Sequence, residues 1–181
     1  MTDSIVVEQS GVCFETLVPE HIWPIPENQL GTETSVRFGI RITNQTRTPL
    51  RFCSYWTLFP ILIEPNGKHL LFWQASDASR SIGESDCPLV ESKENVTFFL
   101  NGHLAWNNSK LYLKGYVQSG GVWGFRDDIK PGKYSFYFKY SNLNQERRIY
   151  HQEMKKMKIL DNIWTGQVET PLTKISLVLP Y

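Results

Sequence analysis

The chain has 181 residues, 41% of them hydrophobic and 13% aromatic, which fits one domain spanning 1–181 with a core rich in flat side chains. Nineteen basic and eighteen acidic residues leave a net charge of +1, which excludes the broad basic field used for binding nucleic acid or anionic lipid. No run approaches the roughly 18 consecutive apolar residues of a membrane-spanning helix, so we expect no membrane partner.

The N-terminus and the cysteines both indicate the cytoplasm. The opening segment contains Asp3 and only a short apolar patch, whereas a secretory signal starts with basic residues and continues into an apolar run. An export signal removed from the mature chain is the alternative. Cys13, Cys53 and Cys87 are odd in number, far apart and without CxxC spacing, which predicts three reduced, mostly buried thiols.

Alternation of apolar and polar residues dominates the chain and predicts strands. After an extended loop at 19–34, the segment 35–43 alternates strictly. Four of its side chains share the face that we expect to lie in the core: Val36, Phe38, Ile40 and Ile42. The opposite face is polar, as in a strand with one side in solvent.

The segment 59–74 predicts a β-hairpin. Two apolar runs flank Pro65-Asn66-Gly67-Lys68, and Asn-Gly tolerates positive φ at the central positions of a tight turn. A polar connection at 75–94 follows, with a short strand at 87–90. The remaining predicted strands lie at 95–102, 110–117, 120–125, 133–140, 163–168 and 172–180. Many short strands between turn residues are typical of an all-β sandwich or barrel.

Residues 144–162 interrupt the alternation. Four side chains would lie on one line of a helix, at spacings of 4, 3 and 4 residues: Tyr150, Met154, Met157 and Asp161. Residues 145–160 carry five basic and two acidic side chains, a net charge of +3. We interpret the segment as a helical or loop insertion, either a short amphipathic helix or a long hairpin loop joining the last two strands.

The stretch 127–140 predicts how a late strand begins. A charged turn and Pro131-Gly132 precede Tyr134, and Phe136 and Phe138 then alternate towards the core. A tyrosine in this place resembles the tyrosine corner of immunoglobulin-like sandwiches, in which the hydroxyl bonds to an upstream backbone group. The cysteine that follows this tyrosine in antibody domains is absent.

The front half of the chain adds a second resemblance. Segments 35–75 and 128–178 resemble bacterial immunoglobulin-like modules, including the intracellular proteinase inhibitor family. The matching positions lie at a strand end, in an apolar strand and in a turn: Asn44, Leu50, Phe52 and Gly67. The resemblance implies an immunoglobulin-like antiparallel β-sandwich, and because it covers scaffold positions only, no inhibitory residue is carried over.

No pattern indicates catalysis, a metal or a cofactor. The four histidines are separated by at least 34 residues, and the acidic residues at 84–86 and 127–128 lack the spacing of a calcium loop. No serine or cysteine lies in a known nucleophile motif. We therefore expect a non-catalytic protein without a cofactor.

The leading hypothesis is a protein-interaction module whose partner is an unidentified protein. In it, apolar side chains within a basic rim of segment 144–162 bind the partner: Arg147, Arg148, Tyr150, Met154, Lys155, Met157 and Lys158. The competing interpretation of the same stripe is packing against the sandwich. The sequence leaves the oligomeric state open.

Two other functions stay open. The first, implied by the resemblance alone, is inhibition of an intracellular protease. The second is carbohydrate binding by a minority of exposed tryptophans. The candidates for that role are Trp56, Trp73, Trp106, Trp123 and Trp164.

Overall fold

The computed structural model describes residues 6–29, 31–76, 82–117, 121–151 and 154–180. Within these ranges the chain forms strands, one 3₁₀ turn at Glu84–Asp86 and no α-helix, which confirms the predicted all-β class. In the same ranges no helix is long and apolar enough to cross a membrane. The strands are β1 (Val6–Gln9), β2 (Val12–Leu17), β3 (Ile22–Pro24), β4 (Glu33–Asn44), β5 (Leu50–Arg51), β6 (Leu58–Ile63), β7 (Phe72–Ser76), β8 (Leu89–Val90), β9 (Asn95–Asn107), β10 (Lys110–Val117), β11 (Gly121–Phe125), β12 (Gly132–Asn142), β13 (Arg147–His151), β14 (Lys156–Leu160), β15 (Gly166–Glu169) and β16 (Thr173–Val178).

Most of the strands belong to two sheets. The first has seven strands in the order β1-β2-β4-β9-β10-β11-β7. The second is built around β12, whose residue Ser135 pairs with Ile63 of β6 on one edge and with Lys174 of β16 on the other. β15 pairs with residues 139–142 of β12, on the same edge as β16. β3 pairs with β16 as a parallel strand. The short pairs β5–β8 and β13–β14 form separate two-stranded sheets.

The two large sheets pack face to face through the side chains that the alternation assigns to the core. Six of these predicted side chains are each at most 5% exposed: Val36, Phe38, Ile40, Ile42, Phe136 and Phe138. Four aromatic rings from both sheets lie with their centroids within 6.0 Å of the Phe38 ring: Trp23, Trp123, Phe136 and Phe138. The core of the sandwich is therefore centred on an aromatic cluster.

The predicted hairpin at 59–74 forms only next to its turn, where Ile63 pairs with His69 in antiparallel fashion. Gly67 has a φ of +85°, and the Asn66 side-chain oxygen accepts a 2.8 Å hydrogen bond from the Lys68 N–H. The strand before the turn, β6, pairs with β12, whereas the strand after it, β7, pairs with β11. Turn residues specify only the local reversal of the chain. Which sheet each strand joins depends on where its apolar face is buried.

Tyr134 makes the backbone contact predicted for a tyrosine corner. Its ring is 1% exposed, and its hydroxyl donates a 2.9 Å hydrogen bond to the Lys130 carbonyl and accepts a 3.1 Å bond from the Lys130 N–H. Burial raises the pKa of Tyr134, so the hydroxyl keeps the proton that it donates. The two hydrogen bonds between Tyr134 and Lys130 close the turn that precedes β12.

Segment 144–162 joins the antiparallel strands β12 and β15 and itself contains a β-hairpin, so the helical alternative is wrong and the long hairpin connection is confirmed. β13 and β14 are antiparallel, with Arg147 opposite Leu160 and His151 opposite Lys156; residues 152–153 lie outside the described residues. A short helix has little stability of its own even when its residues favour one. Strand pairing instead buries Ile149 and Leu160 on one face, and this tertiary packing overrides the composition.

Candidate partner-binding hairpin

A disulfide lies beneath the hairpin, which contradicts the expectation of three reduced thiols. Cys53 and Cys87 are bonded and each is 0% exposed, whereas Cys13 is free. Strand β5 pairs with β8 so that Arg51 lies opposite Leu89. Continuing this antiparallel register by two residues places Cys53 opposite Cys87. The sequence separation of 34 residues gives no sign of this pairing.

The inner face of the hairpin packs against this disulfide. Ile149 of β13 and Leu160 of β14 are 2% and 1% exposed. They form a small hydrophobic cluster with Cys53, Cys87 and the buried Ile163, distinct from the main core. The hairpin is thus held by its own local core.

Glu84 ties the inner face of the hairpin to the 3₁₀ turn. Its carboxylate accepts hydrogen bonds from Lys158 of β14 at 2.8 Å and from Arg51 of β5 at 2.9 Å. The Lys158 hydrogen bond, with the charge of Arg51, holds the pKa of Glu84 below its ordinary value. Lys158 was predicted to contact a partner, but it is engaged within the protein.

Arg147 holds the base of the hairpin in a similar way. Its guanidinium donates to the Tyr55 carbonyl at 3.1 Å and to the Asn142 side-chain oxygen at 3.4 Å. Burial lowers its pKa. Arg147, also predicted to contact a partner, therefore has a structural role.

Tyr140 links the disulfide to the main core. Its hydroxyl accepts a 3.0 Å hydrogen bond from the Cys53 N–H and donates a 2.8 Å bond to the Cys53 carbonyl. Its ring lies 5.7 Å, centroid to centroid, from both Phe14 and Trp164. Complete burial raises the pKa of Tyr140 far above its ordinary value, so the hydroxyl stays protonated and keeps both contacts.

We expect Tyr140→Phe to lower the free energy of unfolding by about 1–3 kcal/mol, because the buried Cys53 N–H would lose its hydrogen-bond partner, whereas the Cys53 carbonyl would keep the Thr57 hydroxyl. Chemical denaturation measures the change. Tyr137→Phe is the matched control, since Tyr137 lies on the opposite face of the same strand and is only half-buried. Equal stability of the two variants would contradict this role of the Tyr140 hydroxyl.

The outer face of the hairpin is exposed. Residues opposite one another in an antiparallel pair share a face, so Arg148 lies beside Ile159, and Tyr150 beside Met157. Tyr150, Met157 and Ile159 are 42%, 60% and 54% exposed. The turn adds two exposed residues, and together these positions make up what we call the hairpin face: Arg148, Tyr150, Met154, Lys155, Met157 and Ile159.

The hairpin face includes five of the seven predicted partner-binding residues and one residue that was not predicted. Arg147 and Lys158 lie on the inner face. Ile159 was missed because on a helix it would lie about 200° around the axis from Met157, whereas period-two alternation from Met157 would have included it. Neither β13 nor β14 pairs with a further strand in the described part of the chain, so both edges present unpaired backbone groups.

Comparison with protein-family models, with curated proteins and with solved structures found no match to this chain. The immunoglobulin-like resemblance therefore stays a prediction. Within the described ranges, no group of three or more His, Cys, Asp or Glu residues is arranged to hold a metal ion.

Proposed function

We propose that the protein is a non-catalytic protein-interaction module whose hairpin face binds an extended, acidic segment of a protein partner. The observation that supports this is the division of the hairpin into two faces. Ile149 and Leu160 hold the inner face on the disulfide, while Tyr150, Met157 and Ile159 stay exposed. Packing within the protein explains why the inner face is apolar, but it does not explain the apolar side chains of the outer face.

Charge and backbone geometry indicate the chemistry of the partner. Arg148 and Lys155 are exposed cations among the apolar side chains of the hairpin face, so acidic groups would complement this face. Methionine adapts to varied apolar shapes, and tyrosine combines apolar area with a polar tip. An extended segment can also add as a strand to a free sheet edge.

The test is identification of the bound segment by photo-crosslinking from position 157, followed by affinity measurement with the matching synthetic peptide. We expect an acidic, extended peptide whose binding is abolished in the Tyr150→Ser/Met157→Ser/Ile159→Ser variant. Leu172→Ser is the control, because Leu172 is 55% exposed but lies outside the hairpin. Both proteins must unfold cooperatively.

A second pair of variants tests whether partner binding depends on the positive charges of the hairpin face. Arg148→Glu/Lys155→Glu reverses two exposed charges of the hairpin face, and Lys133→Glu reverses an exposed charge on β12. Binding should fall in the first variant, fall with added salt and persist in the second. Undiminished binding in the hairpin variants would refute the proposal.

For the fold family and the compartment, we propose a bacterial immunoglobulin-like module that matures in an oxidising compartment. The tyrosine-corner contact of Tyr134 supports the first part. The Cys53–Cys87 disulfide supports the second, because cytosolic thiols are kept reduced. It argues against the cytoplasmic location expected from the N-terminus. Inhibition of an intracellular protease stays a prediction based on the resemblance alone.

A further inference from the structure

A second candidate site lies on the outer face of the seven-stranded sheet. Tyr112 and Lys114 of β10 alternate with Leu111 and Leu113, which are 0% and 1% exposed. Because side chains alternate between the two faces of a strand, Tyr112 and Lys114 point away from the core. The neighbouring strands β9, β11 and β7 complete this surface.

The indole ring of a tryptophan packs over a glycine next to Tyr112 and Lys114. Lys114 is opposite Gly124 on β11, and Gly124 is opposite Trp73 on β7. A Cβ atom at position 124 would lie 3.0 Å from Nε1 and 3.2 Å from Cε2 of the Trp73 indole. Glycine therefore lets the indole approach the sheet closely, where it forms a flat platform next to Lys114.

A cavity of about 340 Å³ opens at this platform, within the range of small-molecule sites. It is lined by Trp73, Tyr112, Lys114, Arg126 and Trp106, among others. The Trp106 indole N–H donates a 2.7 Å hydrogen bond to the Pro26 carbonyl, which fixes the orientation of that ring. Trp106 pairs with Leu111 on the core side of the sheet, so this ring borders the cavity from the core side and is held in place without a ligand.

The charged side chains that line the cavity are all positive. Its charged lining residues are Lys114 and Arg126, both exposed. Neither forms an ion pair within the described part of the chain. Arg126 follows β11 at the position that continues the register opposite Tyr112. Two unpaired cations beside an aromatic platform suit a ligand that has an anionic group attached to a flat or weakly polar ring face.

We propose that this cavity binds an anionic saccharide. The apolar C–H face of one pyranose ring stacks on Trp73, its carboxylate lies between Lys114 and Arg126, and its hydroxyl groups bond to Tyr112. Two cations on a chain with a net charge of +1 are too few for the phosphate contacts on which nucleic-acid affinity depends. The site shares no residue with the hairpin face, so either proposal can fail without the other.

The test is calorimetric titration with tetragalacturonate, with cellotetraose as the uncharged saccharide of equal length. We expect tetragalacturonate to bind, with an affinity that falls as salt is added, and cellotetraose to bind at least about tenfold more weakly. Trp73→Ala should weaken tetragalacturonate binding by about tenfold or more. Trp56→Ala is the matched control, since Trp56 is 41% exposed and does not line the cavity.

Lys114→Gln removes one cation from an exposed position and so tests the site even if Trp73→Ala fails to fold; we expect an affinity loss of about tenfold for it too. Four outcomes would overturn the proposal. They are absence of tetragalacturonate binding, equal affinity for cellotetraose, binding that Lys114→Gln leaves unchanged, and tighter binding of an eight-residue oligothymidylate. Loss of saccharide binding in the hairpin-face triple variant would also contradict the separation of the two sites.

Discussion

Phe38→Ala is expected to lower the free energy of unfolding by about 3–5 kcal/mol. Phe38 is 0% exposed and lies between the two sheets. The centroid of its ring is 5.0 Å from that of Phe136 in the opposite sheet and 5.4 Å from that of Trp123 in the same sheet. Removing the ring forfeits its burial and leaves a cavity lined by large rings. Such rings are held by strand pairing and cannot collapse fully into the space.

Denaturant unfolding of the two proteins measures this loss, with Tyr116→Ala as the control. Tyr116 belongs to the same sheet but is 69% exposed, so its truncation should change the stability by less than about 0.5 kcal/mol. A loss below about 1 kcal/mol for Phe38→Ala would mean that the side chain does not lie in the core.

Removal of the Cys53–Cys87 disulfide is the second change with a large expected effect. The bond joins residues 34 positions apart, and closing a loop of that length restricts the unfolded chain by about 3–4 kcal/mol. We expect the Cys53→Ser/Cys87→Ser variant to be destabilised by this amount. Loss of packing against Ile149 and Leu160 should loosen the hairpin first, so its amide protons should exchange faster than those of β4.

Cys13→Ser is the control for that variant, because Cys13 is not bonded, and its stability should stay close to that of the parent protein. Alkylation followed by mass spectrometry tests the bond directly. The unreduced, unfolded protein should take up one alkyl group, and the reduced protein three. Uptake of three groups before reduction would show that the thiols are free, and it would restore the cytoplasmic expectation.

Local sequence patterns were sufficient to predict the core-facing side chains of a strand that is buried on one face along its length. In β4 the alternation of Val36, Phe38, Ile40 and Ile42 identified the core side, because a register shift of one residue would expose all four. The Tyr134 contact could be predicted for a related reason. Its partner, Lys130, lies four residues away, so the interaction is specified within one turn of the chain.

The partner of each strand could not be predicted from local patterns. The turn at 64–68 forms as its residues indicate, yet β6 and β7 enter different sheets, because sheet membership depends on distant apolar faces. The hairpin of β13 and β14 shows the same limit, since its residues favour a helix in isolation and form strands above a disulfide. The disulfide itself depends on the pairing of β5 with β8.

The sequence by itself determined the all-β class, the core faces of β4 and β12 and the basic, apolar character of segment 144–162, since each of these depends on residues close together in the chain. Only the tertiary structure decided which side chains of that segment are exposed, which cysteines are bonded and that Trp73, Lys114 and Arg126 border one cavity. Those features join residues from separate strands. Their proximity arises when burial of the aromatic core selects one arrangement of the sheets, a cooperative choice that no single segment encodes.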